Sequence, residues 1–500
     1  MATETKTAAD RAPEALVETR DADEFAALLK KSFKPRTERA ATELENAVST
    51  LVGQALSDAN LVKADVIDTL EEMIAQLDKN LSAQMNEIVH APEFQQIESA
   101  WRGLNYLVTH SETDATLKIR VMNVSKNELY RHLRQYPAAA WDQSPLFKKV
   151  YEEEFGQLGG QPFGCLIGDY SFSHLPTDVQ LLRDISKIAA AAHAPFFAAA
   201  DSTLMGMDSW NELMNPRDLS KLFDTPEYAA WKSLRDSDDA KYIGLCMPRV
   251  LARLPYGAKT EPVDEFAFEE ETDGHKGEKY AWMNAAYAMA GNINRAFKEY
   301  GWCARIRGVQ SGGEVEDLPA HTFPTDDGGV DLKCPTEIAI SDRREAELAK
   351  SGLIPLIHRK NTDRAAFIGA QSLSKPKAYQ NNPEATASSN LASRLPYMFA
   401  CCRFAHYLKV MVRDKVGSYY EETQLEKWLN NWIAEYVDGD PKNSTEATKC
   451  RRPLAGAKIT IVPNEENPGY YAATFELRPH FQLEGMDIGL RLVSRLPVAK

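Results

Sequence analysis

Cysteine is scarce and unmatched in this chain: Cys165, Cys246, Cys303, Cys334, Cys401, Cys402 and Cys450 make seven in 500 residues, an odd number without recurring spacing. That pattern argues against a disulfide framework and for a reducing compartment, so a cytoplasmic protein is expected. Long apolar runs are missing as well. The best of them, Ile188 to Ala200, is broken by His193 and Pro195 and is shorter than the ~20 residues that cross a bilayer, so no membrane insertion is expected. The N-terminal stretch MATETKTAADRAPEALVETRDADEF holds no apolar centre of a secretory signal. Positive charge is in deficit. A formal net charge of −14 argues against a nucleic-acid surface and for solubility.

The short signatures of catalysis are absent too. No G-x-x-x-x-G-K-[ST] and no strand-borne G-x-G-x-x-G occurs, so neither phosphate cradle is present. Without H-E-x-x-H, C-x-x-C or G-x-S-x-G, zinc, dithiol and nucleophile-elbow chemistry have no foothold, and Ser311 in QSGG is no nucleophile candidate. Cys402 and His406 stand one helical turn apart, but no third or fourth ligand accompanies them. No metal and no cofactor are expected.

What the chain does have is apolar residues, 44% of the total, enough for about three domains at ~150 residues each. After a polar tail of twenty residues, Phe25, Leu28 and Leu29 recur at helical spacing ahead of Pro35. So short a helix needs something to dock on. A second helix is expected over 37–59. A third, over 64–89, carries Ile67, Leu70, Ile74, Leu77, Leu81 and Ile88 on a seven-residue seam with Gln84 as its polar break. Such a seam calls for another helix, either that of 37–59 or one from another subunit. Pro92 to Val108 places Phe94, Ile97, Trp101, Leu104 and Val108 on one face, and a strand is expected from Leu117 to Val124.

From Gly164 strands and helices alternate. Strands are expected at 164–169, 195–200 and 242–247, helices at 177–192 and 280–300, and further strands at 303–309, 331–332, 337–340 and 365–370. Helix-length spacing between strands implies a parallel sheet covered on both faces. Asp169 and Asp201 stand at strand ends, where α/β enzymes place catalytic groups; a turn or cap role is the preferred reading. Residues 374–390 read as a loop and domain boundary. Beyond it, a helix from Pro396 to about Lys415 places Arg403, His406, Lys409 and Arg413 on one side, a candidate docking face for an acidic partner. The next helix, 421–437, has a complete apolar stripe. Three strands close the chain: 458–462; 470–477, with Tyr471, Phe475 and Leu477 on one side; and a last run with Met486, Ile488, Leu490 and Leu492 on one side. Their edges need partners.

Several long stretches, among them PEFQQIESAWRGLNYLV (92–108), FGCLIGDYSFSH (163–174), AAAHAPFFAAADSTLMG (190–206), residues 333–377 and FELRPHFQLEGMDIGLRLVSRLP (475–497), resemble the large sheath subunit family of the bacterial type VI secretion system, the TssC/VipB family. The resemblance runs from about residue 60 to the end. It implies an α/β fold with a helical N-terminal region, mixed α/β sheath domains, and C-terminal helices and strands used in intersubunit strand exchange. It further implies a contractile helical tube of heterodimers with the small TssB/VipA subunit, set around an Hcp inner tube on a baseplate. Under it, residues 1–60 hold the tail and short helices, with Phe25, Leu28 and Leu29 as the contact for the ClpV ATPase. Residues 61–373 form the sheath domain, and residues 391–500 a C-terminal domain in which either the face with Arg403, His406, Lys409 and Arg413 or the following helix is expected toward the tube. Tyr471, Phe475, Leu477, Ile488, Leu490 and Leu492 would serve the intersubunit strands. The competing expectation is an α/β enzyme working through Asp169 and Asp201.

Overall fold

The computed structural model describes residues 66–463, 471–480 and 482, except 216–218, 381 and 418–420, together with Thr42 and Asn46. The chain divides into two compact units, Met1–Phe94 with Leu254–Asp273, and Gln95–Arg253 with Gly274–Lys500. The described part of the first unit is built on helix α1 (Val66–Val89). Its Asn86 ties down the 254–273 segment with both ends of its carboxamide: Nδ2 donates to the Glu269 carbonyl at 3.2 Å and Oδ1 accepts from the Glu271 amide at 3.0 Å.

Helix α2 (Pro92–Thr109) leads into the second unit, followed by α3 (Lys126–Arg134), closed by a capping box between Ser125 and Glu128. The order then runs β1 (Leu166–Phe172), α4 (Pro176–Ala192), β2 (Phe196–Ala200), α5 (Ala229–Arg235), β3 (Ile243–Met247), the short pair β4 (Val250–Leu251) and β5 (Trp282–Met283), and α6 (Ala285–Tyr300). Next come β6 (Glu314–Val315), β7 (Thr322–Pro324), β8 (Val330–Leu332), α7 (Asp342–Lys350), β9 (Leu353–His358) and β10 (Ala365–Phe367). Six of these strands form one sheet in the order β1-β2-β3-β9-β10-β6. The first four are mutually parallel, as the strand–helix alternation requires, and β10 runs antiparallel to both of its neighbours, β9 and β6.

Both faces of this sheet are buried, and alternate residues of one strand feed different cores. Phe196, Ala198 and Ala200 of β2 pack with Val179, Leu182 and Ile185 of α4 on one side. Phe197 between them packs with Met289 and Ile293 of α6 on the other. Gly103 of α2 faces Tyr287 of α6 so closely that a Cβ there would stand 2.4 Å from the tyrosine ring.

The C-terminal part consists of α8 (Pro383–Ala392), α9 (Leu395–Lys415), α10 (Glu422–Ala434), α11 (Glu446–Arg451), β11 (Leu454–Pro463) and β12 (Tyr471–Pro479). A third core joins them: Phe404 and Leu408 of α9, Leu425, Leu429 and Ile433 of α10, and Leu454, Ile459 and Ile461 of β11.

Several expected elements differ. The 117–124, 303–309 and 337–340 segments form no strands; Thr336 makes only an isolated bridge to Val250. The helix expected from 280 begins at Ala285, because Asn284 caps it by accepting the Ala286 amide at 2.9 Å, while Trp282 and Met283 pair with β4. Residues 383–392, expected as loop, are helical: Asn382 is the N-cap and Pro383 fills the first turn, where a missing N–H costs nothing. Strand β9 is absent from the expected elements, and it holds Pro355 although proline is rare in a central strand. The last expected strand, with Met486, Ile488, Leu490 and Leu492, lies outside the described residues, as do the helices expected before residue 64 apart from Thr42 and Asn46, which are helical.

Candidate intersubunit interface

The terminal hairpin is the most distinctive surface of the second unit. Strands β11 and β12 pair antiparallel from Leu454↔Pro479 to Pro463↔Tyr471 and form a separate two-stranded sheet. Two strands alone are marginal in water. Helix α10 supplies the missing support on one face, burying Ile459 and Ile461 and packing against Leu477. The opposite face carries Lys458, Thr460, Thr474 and Glu476. On the supported side Phe475 is still 38% exposed. Among the expected strand residues, Phe475 and Leu477 therefore stand on one face of β12, and Tyr471 takes its place at the strand's start opposite Pro463. Ile488, Leu490 and Leu492 lie outside the described residues, as do Phe25, Leu28 and Leu29.

The chain leaves this hairpin at a fixed point. Gln482 accepts from Arg307 Nε at 2.7 Å, donates to the Ala304 carbonyl at 2.8 Å, and its amide donates to the Tyr397 hydroxyl at 2.9 Å.

One helix in each unit carries further apolar residues that are exposed among the described residues. On α1 the seven-residue repeat Ile74, Leu81 and Ile88 is 53%, 45% and 51% exposed, while Met73, Asn86 and Val89 are buried. The side that periodicity marks as a seam is thus open in the described chain. In the second unit, α2 turns Gly103 and Leu107 inward and leaves Ile97, Trp101 and Val108 outward, Trp101 at 69% exposure. Isolated exposed apolar residues are ordinary, but repeated ones along a helix mark a contact face.

The basic face expected on α9 is corrected by the structure. His406 is buried, its Nε2 bonded to the Ala192 carbonyl at 2.8 Å, and burial pushes its pKa down to about 4. Lys409 donates to the Tyr151 hydroxyl at 3.0 Å and sits 3.6 Å above the Phe155 ring. Arg413 donates to the carbonyls of Gly156 and Gln157, and Arg403 stacks over Phe297 and Tyr407. Helical spacing put these four on one side correctly. It could not foresee that the π-helix at Lys148–Gly156 packs on that side, against His406, Lys409 and Arg413.

The two strand-end aspartates do not come together as a reactive pair. Asp169 falls inside β1 rather than after it, beside Asn284 and Tyr287, and partial desolvation raises its pKa. Asp201 caps a single 3₁₀ turn, accepting from the Thr203 amide at 3.0 Å and hydroxyl at 2.6 Å. Two surface depressions are lined by residues around Tyr379–Asn390 and around Leu213–Arg344, and neither aspartate lines them. Among the described residues no three His, Cys, Asp or Glu side chains cluster as a metal site, and no helix is long and apolar enough to cross a membrane.

Unmated helix stripes, a half-supported hairpin and polar groups spent on internal bonds define a structural protein made for assembly with other chains. The chain belongs to the EvpB/VC_A0108 tail sheath family: residues 71–374 match its N-terminal domain and residues 384–496 its gpW/gp25-like domain. It is also similar to the type VI secretion system sheath protein TssC1 of Pseudomonas aeruginosa (strain PAO1), with 64% identity over 482 residues, 96% of this chain and 97% of that protein.

Proposed function

We infer that this chain is a structural subunit of a type VI secretion system sheath, acting mechanically and not as a catalyst. The observation that carries the inference is 64% identity to a protein of that name along 96% of the chain. In this reading the chain pairs with a small sheath subunit of the TssB/VipA type. The heterodimers stack into a helical tube on a baseplate around an Hcp inner tube, in the bacterial cytoplasm, and contraction drives the tube and its effectors outward. The open seam of α1 and the outward stripe of α2 supply helix-docking surfaces for such neighbours. Tyr471, Phe475 and Leu477 of the hairpin, with Ile488, Leu490 and Leu492 from a neighbouring copy, form the intersubunit sheet, which keeps subunits linked while they rotate. Residues 1–60, with Phe25, Leu28 and Leu29, serve the ClpV ATPase; residues 61–373 and 391–500 are the two sheath domains. Of the four residues expected toward the tube, His406 is buried within the chain; the half-buried Arg403, Lys409 and Arg413, or the helix that follows them, supply the tube contact in this reading.

Electron microscopy of the full chain co-produced with its small partner tests this reading. Long tubules with a ridged surface are expected; discrete particles of fixed size at every concentration would overturn it.

A further inference from the structure

In an antiparallel pair each residue points both its N–H and its C=O to the same side, and successive residues alternate. Ile459 of β11 points both groups away from β12, toward Asn430 of α10. Its amide donates to Asn430 Oδ1 at 3.0 Å, and its carbonyl accepts from Asn430 Nδ2 at 2.8 Å. One carboxamide thus imitates a residue of an adjoining strand. Two residues on, the Ile461 amide donates to Glu426 Oε2 at 3.1 Å, one helical turn earlier on α10. At the near end of the strand, the Leu454 amide donates to the Tyr436 carbonyl and the Leu454 carbonyl accepts from the Asp438 amide. At the far end, Pro463 has no N–H to offer.

The other edge differs. Because Ile459 stands opposite Phe475, Ile461 opposite Ala473 and Ala457 opposite Leu477, these three residues of β12 point their backbone groups away from β11. Among the described residues none of those groups has a hydrogen-bond partner. A strand laid there would also cover Phe475.

We propose that the hairpin takes its neighbour's strand at the β12 edge alone, because Asn430 and Glu426 occupy the middle of the β11 edge, at Ile459 and Ile461. Both are positioning residues: they set the side, and hence the polarity, of strand addition. The occupant is the amphipathic 486–492 segment of a second copy, whose Met486, Ile488, Leu490 and Leu492 alternate with polar or small residues and continue the apolar face of the hairpin. The proposal rests on the strand-exchange reading above.

Amide hydrogen exchange at residue resolution, on the full chain before and after assembly into tubules with its small partner, tests it. Before assembly, the amides of Ile459 and Ile461 should exchange at least about tenfold more slowly than those of Ala473, Phe475 and Leu477. Assembly should slow the latter three and leave the first two unchanged. Asn430→Ala should release the Ile459 amide by about tenfold or more, whereas Asn430→Asp, which keeps the acceptor, should not; Glu426→Ala gives the same reading at Ile461. Slow exchange at Ile459 and Ile461 gained only on assembly would overturn one-sided addition while leaving strand exchange intact. Tubules that form with no change at Ala473, Phe475 and Leu477, whether these exchange fast or slowly throughout, would remove strand exchange at this edge and the proposal with it.

Discussion

His406 shows how one buried side chain sets a pH dependence. Its Nε2 is bonded to the Ala192 carbonyl, and Nδ1 is buried without a partner among the described residues, so a second proton finds no acceptor there. Burial first, then the charges of His193, Arg403 and Lys409, bring its pKa down to about 4, against about 6.5 in an unfolded chain. The unfolded state therefore binds a proton across that window that the folded state refuses. Stability is complete above about pH 6.5 and falls as pH drops toward 4, by at most about 1.4 kcal/mol per pH unit from this group. The thermal midpoint followed by near-UV circular dichroism should drop between pH 7 and about pH 4.5, and drop less in His406→Gln. Equal drops in both proteins would place the sensitivity elsewhere. Asp201 teaches the opposite lesson about single residues: an aspartate after a strand was a cap, bonded to Thr203.

At the scale of elements, α10 and the hairpin are one mechanical piece. Leu429 is fully buried between them, so Leu429→Ala should cost about 2–5 kcal/mol in urea unfolding and free the hairpin from its helix. Phe475 on the same sheet is 38% exposed. Phe475→Ser should cost the unassembled chain about 1–2 kcal/mol, less than Leu429→Ala, yet tubules should fail or shorten by electron microscopy. The contrast separates residues that hold the chain together from residues kept for neighbours. Gly103 marks another tight join, since Gly103→Ala would push α2 from Tyr287 and should cost about 1–3 kcal/mol.

At the scale of the whole molecule, the apolar residues among those described divide into three large cores, two small clusters and an outward set. Ile97 and Trp101, 60% and 69% exposed, belong to the outward set although they recur at helical spacing as a core stripe would. Replacing both by serine should leave the urea midpoint of the unassembled chain nearly unchanged and weaken co-purification of the small partner or tubule formation. A large loss of stability instead would show that the stripe is covered within the chain itself.

Periodicity and turn chemistry, which are local, were enough to mark α4, β2, β3, α9, α10 and the hairpin, and long stretches of sequence were enough to point to the sheath family. Local signals also placed Arg403, His406, Lys409 and Arg413 on one side of α9. Which side faces water is decided by what packs there, and that depends on the π-helix some 250 residues earlier in the chain. The same limit hid β9, a central strand that holds Pro355 opposite Met247 of β3, and the start of α6, which Asn284 fixes. The sequence alone indicated that the terminal strands want partners. Only the tertiary structure decided which edge is left for them, because an edge is closed or open according to the side chains that another element, here Asn430 and Glu426 of α10, brings against its backbone.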